Sequence, residues 1–137
     1  MSTATFEVQK SIYGVLTTDT PLWDLGVTGI YDDVPDNARY PYVAIGQVTE
    51  TDKPNTQLTV GRELTLTFHI WSRAKGFYEC DQIAGRIITI LEDEELIGMA
   101  SWDWTMTYYE MYQTMRDPDG LTRHGILRFR VRVSRAA

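Results

Sequence analysis

The chain has 137 residues, 43% of them hydrophobic and 23% charged, with a formal net charge of −6 and a single cysteine. That length favours one domain over residues 1–137, able to bury roughly 68% of its extended-chain surface without disulfides or metals. The acidic balance excludes a general nucleic-acid binder, which needs a basic surface to release counterions, and a lone Cys80 excludes an internal disulfide.

The opening "MSTATFEVQK" has no basic start followed by an apolar core, so it does not read as a secretion signal. No apolar run approaches the roughly 20 residues that span a bilayer. Residues 5–17 place Val8, Ile12, Val15 and Leu16 on one side at helical spacing, with Ser2 or Thr3 as the expected cap. A short second helix carries Leu22, Trp23 and Leu25, started by Thr20-Pro21 and stopped by Gly26. "IYDDVP" predicts a short strand and a turn, and residues 42–51 a longer strand. "RELTLTFHIWS" alternates cleanly: Leu64, Leu66, Phe68 and Ile70 face one way, Glu63, Thr65, Thr67 and His69 the other.

"FYECDQIAGRIITILED" is the strongest helix, with Cys80, Ile83, Ala84, Ile87, Ile88 and Leu91 on one stripe. Gly85 inside it is expected to permit close packing on the sheet. The last segment is a hairpin turning at Pro118-Asp119, with Asp117 opposite Gly120. That register sets Trp104, Met106 and Tyr108 against Val133, Val131 and Phe129, and Thr105, Thr107 and Tyr109 against Arg132, Arg130 and Arg128. The fold class is therefore α+β: an antiparallel (mixed) β-sheet of about four to five strands, helices packed on one face, in the order α-α-β-β-β-α-β-β.

Arg128, Arg130 and Arg132 then face away from the core, either into solvent, where they blunt a strand edge, or against an acidic partner surface. Glu92, Asp93, Glu94 and Glu95 fall where the long helix ends, opposing its dipole, so they are either a solvated end or a docking patch for such a basic face. A contact between those two patches on successive copies would be heterologous.

The residues of chemistry stay scattered. "DPDG" fails as a calcium loop, because Met115 and Ile126 would stand where oxygen ligands belong. His69 and His124 have no ligand partners at regular spacing, and Cys80 lies on the apolar stripe as a buried thiol. No phosphate-binding glycine loop or nucleophile frame is present. The expectation is no catalytic residue, no cofactor and no metal.

The stretches "PLWDLGVTGIYDDVPDNARYPYVAIGQ", "FHIWSRAKGFYECDQIAGRIITIL" and "RDPDGLTRHGILRFRVRV" together resemble a family of small tail-completion proteins of long-tailed phages, also called tail-terminator or tail-to-head joining proteins, with relatives in prophages and gene-transfer particles. The resemblance covers nearly the whole chain and brings no catalytic motif. It implies a virion protein, assembled in the host cytoplasm, that forms a hexameric ring at the head-proximal end of the tail tube. Its partners would be itself, the tube protein and the head–tail connector, with DNA passing through unbound and no membrane involved. The polar loop 49–61, with Asp52, Lys53 and Asn55, is long enough to reach a neighbour. Trp71 at its strand end, and Tyr109 and Met111 on the outward hairpin face, are the expected contact anchors. The competing reading is a small α+β module binding an unknown ligand, which would need a pocket with convergent polar groups.

Overall fold

Val8, Ile12 and Leu16 are all buried along α1 (Thr5–Thr17), as the helical spacing requires. The computed structural model describes residues 3–54 and 60–136 of the chain. Of the expected caps of α1, Ser2 lies outside the described residues and Thr3 stands one place before the N-cap. Ala4 holds the N-cap position without a side-chain bond, and Glu50 takes over from the sheet. Its Oε1 accepts from the Ala4 and Thr5 amides, both at 2.9 Å, and from the Thr5 hydroxyl at 2.8 Å. The first-turn amides find their acceptor through tertiary contact, and a carboxylate there also suits the helix dipole.

α2 (Thr20–Asp24) starts as its sequence dictates. Asp19 accepts from the Leu22 amide at 3.0 Å, Pro21 sits in the first turn, and Gly26 leaves it at φ 96°. Two short strong bonds from Arg86, at 2.8 and 2.9 Å, tie Asp19 to α3 (Tyr78–Asp93). The buried stripe of α3 is Cys80, Ile83, Ala84, Ile87, Ile90 and Leu91; Ile88 is only partly buried, and Ile90 takes its place. Gly85 does not serve close packing. It is exposed, and a Cβ there would meet nothing within 4 Å.

The sheet holds β1 (Ile30–Tyr31), β2 (Tyr42–Asp52), β3 (Gly61–Ser72), β4 (Trp102–Arg116) and β5 (Arg123–Arg135) in the order β1-β2-β3-β5-β4. β1 runs parallel to β2 over Ile30 and Tyr31, and the other pairs are antiparallel, so the sheet is mixed and the class is α+β. β2 runs on to Asp52, which takes Thr49–Asp52 out of the expected loop. Leu64, Leu66, Phe68 and Ile70 of β3, with Leu127, Phe129, Val131 and Val133 of β5, pack with the buried residues of the three helices in one core. Among the described residues, no helix packs on the other face of the sheet.

The hairpin register departs from the one its turn suggested. The turn closes as expected, the Gly120 amide donating to the Asp117 carbonyl at 3.0 Å, but the ladder beyond it is shifted: the Asp117 amide donates to the Thr122 carbonyl at 2.9 Å. Asp119 organises the turn, accepting from the Leu121 and Thr122 amides at 2.8 Å and from the Thr122 hydroxyl at 2.7 Å, while Gly120 adopts φ 73°. Two irregularities in β4, between Trp104 and Met106 and between Tyr109 and Met111, then absorb the difference. Trp104 still meets Val133. Beyond it Met106 meets Arg132, Tyr108 meets Arg130, Tyr109 meets Phe129 and Met111 meets Arg128. Each bulge adds a residue and so exchanges which side chains point inward.

Candidate assembly interface

The helix-free face of the sheet divides into a charged half and an aromatic half. In the charged half, Arg132 Nε donates to Glu63 Oε2 at 2.9 Å, and Arg130 donates to Glu63 Oε1 at 3.1 Å and to Glu110 Oε1 at 2.6 Å. The Tyr108 hydroxyl donates to Glu63 at 3.1 Å, and Arg128 lies 3.7 Å from Glu110. Glu63 is only 7% exposed. The bond from Arg132 holds its carboxyl below the usual carboxylate range, against burial, which pushes the other way. The three arginines are thus interleaved with two carboxylates of their own chain, and the ladder clamps β3, β5 and β4 together.

In the aromatic half, the Trp71 ring lies flat on His124, 3.8 Å between centroids and 9° between planes. His124 Nε2 and His69 Nδ1 stand 2.6 Å apart. The two imidazole centroids are 4.9 Å apart, so these rings meet edge to edge, nitrogen to nitrogen, with one donating and the other accepting. Burial pushes both imidazoles below their ordinary value, and His69 adds to the effect on His124. Gly46 makes the room: a Cβ there would stand 2.7 Å from His69 Nε2 and 2.9 Å from the Thr67 carbonyl.

The residues singled out in the sequence are therefore not one patch. Arg128, Arg130 and Arg132 share the helix-free face with Trp71 and Met111. Glu92, Asp93, Glu94 and Glu95 are exposed at the end of α3, in the helical layer. Asp52 and Lys53 are exposed where β2 ends, and Asn55 lies outside the described residues. Tyr109 is corrected: it points to the helix side, its ring 6.0 Å from Phe129, because the bulge turns it there. Sequence reading missed the joining of His69 to His124, since partners 55 residues apart leave no local signal. It also missed Glu63 as the hub of the arginines. The alternation had put Glu63 on the right face, which was the one available hint.

Chemistry on these residues is constrained by their partners. Burial pushes the Cys80 thiol up to about 11, far from the thiolate a nucleophile needs. Among the described residues, no group of three or more His, Cys, Asp or Glu side chains is placed to hold a metal ion. Among the described residues, no helix is long and apolar enough to cross a membrane.

Two solved structures share this arrangement. A chain of the virion of a native gene transfer agent particle superposes with a TM-score of 0.87 over 98% of this chain and 99% of that one, at 21% identity. The structure of bacteriophage SPP1 gp17 protein does so with a TM-score of 0.63 over 93% and 89%, at 24% identity. In sequence, the tail completion protein gp17 of Bacillus phage SPP1 is 26% identical over 127 residues, which are 93% of this chain and 92% of that protein. The class is that of structural proteins of the virion tail. Residues 10–134 match the family of tail completion protein gp17, and the chain belongs to that family.

Proposed function

We propose that copies of this chain form a hexameric ring on the head-proximal end of the tail tube. The ring stops tube growth and offers the surface that the head–tail connector joins. The observation that carries this reading is the family match across residues 10–134, which leaves almost none of the described body outside it.

The physical build supports it. A ring wall must hold its shape while its neighbours change, and here a cross-strand charge ladder and a single helix-to-sheet core stiffen the body. The net charge of −6 suits a ring through which DNA must pass without being held. The exposed acidic end of α3 at Glu92–Glu95, the face of Arg128 and the chain leaving β2 at Asp52 and Lys53 are the charged surfaces offered to neighbours, tube and connector. The protein works by contact and not by catalysis: the candidate base, the His69–His124 pair, is internally bonded, and the one thiol is buried and protonated.

Electron microscopy of particles assembled without this chain tests the reading. Tubes of uncontrolled length, or filled heads that fail to join tails, are expected. Tails of normal length joined to heads would overturn it.

A further inference from the structure

Among the described residues, the sheet ends in two free edges. On one side β1 covers only Val43 and Ala44 of β2, and β2 continues to Asp52 with β3 as its remaining sheet neighbour. On the other side β4 has β5 alone. Unpaired strand edges present rows of amide and carbonyl groups that another strand satisfies. Counting along the antiparallel pairs, β2 and β4 run in opposite directions. A second copy that continues the sheet without inversion therefore lays its β4 antiparallel to β2.

Beside the free edge of β2 lies an apolar groove of about 270 Å³, lined by Phe6, Tyr13 and Ile45 and rimmed by Gln9, Lys10 and Asp32. Phe6 is 69% exposed and Tyr13 47%, so α1 presents two aromatic rings that its own fold leaves uncovered. The far edge holds a matching side chain. Register carries Val48 across Leu66 and Phe129 to Tyr109, so these four residues stand at one height in the sheet. Tyr109 points to the helix side, as Ile45 and Val48 do, and is 41% exposed. A copy added in line brings Tyr109 level with Val48, one side-chain repeat along β2 from Ile45 of the groove, which a tyrosine side chain spans diagonally.

We propose that the two ends of the sheet are the complementary halves of one joint: the β4 edge of one copy docks on the β2 edge of the next, with Tyr109 seated among Phe6, Tyr13 and Ile45. The tyrosine ring supplies apolar area, and the polar rim receives its hydroxyl. The bulges in β4 keep the shared ladder short, so the groove, not the ladder, sets the register. The two surfaces differ, so the joint is heterologous, and it closes into a ring when the rotation from copy to copy divides a full turn. This rests on the ring reading above and names the surface that makes the ring.

The test places Phe6→Cys and Tyr109→Cys together in the full chain, treats assembled tails and purified protein with a short thiol cross-linker, and compares each single variant. Cys80 is buried and is the common background. A ladder of covalent multimers from the double variant, absent from both singles, is expected. Rings that remain intact by native mass but give no ladder would overturn the joint and leave the ring standing. A covalent dimer from Tyr109→Cys alone would replace the joint with a two-fold β4 contact. One copy per tail would remove both the ring and the joint. As a second measurement, Tyr109→Ala with an unchanged far-ultraviolet spectrum is expected to weaken self-association at least tenfold, as loss of a buried aromatic anchor does; unchanged association would also overturn the joint.

Discussion

Arg132 donates its Nε hydrogen to Glu63 Oε2 at 2.9 Å, across a strand pair whose members are 69 residues apart. The bond explains why an acidic protein carries an arginine-lined strand. The arginines face two carboxylates of the same sheet, one of them buried, and that carboxylate needs them as much as they need it.

Glu63→Gln keeps the shape and removes the charge. Bonds from Arg132, Arg130 and Tyr108 are weakened together, and a loss of about 1–3 kcal/mol in unfolding free energy is expected. A urea titration of the variant checks it. Arg128→Gln touches only the looser 3.7 Å contact and is expected to change stability by less than about 0.5 kcal/mol.

Acid is expected to unfold the protein through the same carboxylates. The Arg132 bond lowers Glu63 from 4.5, and the Arg86 bond lowers Asp19 from 3.8. Glu50 feels burial most, which raises it, but the bonds from Thr5, Ala4 and Arg62 together win and lower it from 4.5. The Thr122 hydroxyl and the Thr122 and Leu121 amides bring Asp119 to about 2. The folded values lie below the unfolded ones, so this stability is full above pH 4.5 and is lost as pH falls through the folded values. Urea midpoints measured downward from pH 5 are expected to fall, and less steeply in Glu63→Gln.

The histidine pair makes a separate window. Both folded values lie below 6.5, so the pair favours the folded state when neutral, and that contribution is lost as pH falls below 6.5 through the folded values. Imidazole proton resonances followed by pH are expected to show both midpoints below the ordinary value. In His69→Gln the midpoint of His124 is expected to rise, because the neighbouring imidazole that opposes its charge is gone.

Two glycines give opposite outcomes. Gly46→Ala drives a Cβ to 2.9 Å from the backbone carbonyl of Thr67 as well as into His69, which cannot be relieved by a side-chain rotation, so a loss of about 1–3 kcal/mol is expected. Gly85→Ala adds a methyl to open space on a helix and is expected to gain about 0.5–1 kcal/mol. Thermal melts of the two variants separate the cases.

Sequence by itself determined the elements whose signal is local. The alternation of β3, the stripe of α3 and the Thr20-Pro21 start of α2 each rest on spacings within one segment, and the family resemblance followed the same segments. Tertiary structure decided everything that depends on a partner far along the chain: Glu50 capping α1, Glu63 gathering the arginines, His69 meeting His124. It also decided which way Tyr109 points. A strand has a period of two, so a single extra residue in a bulge reverses the facing of all that follows, and composition carries no mark of where that residue is placed.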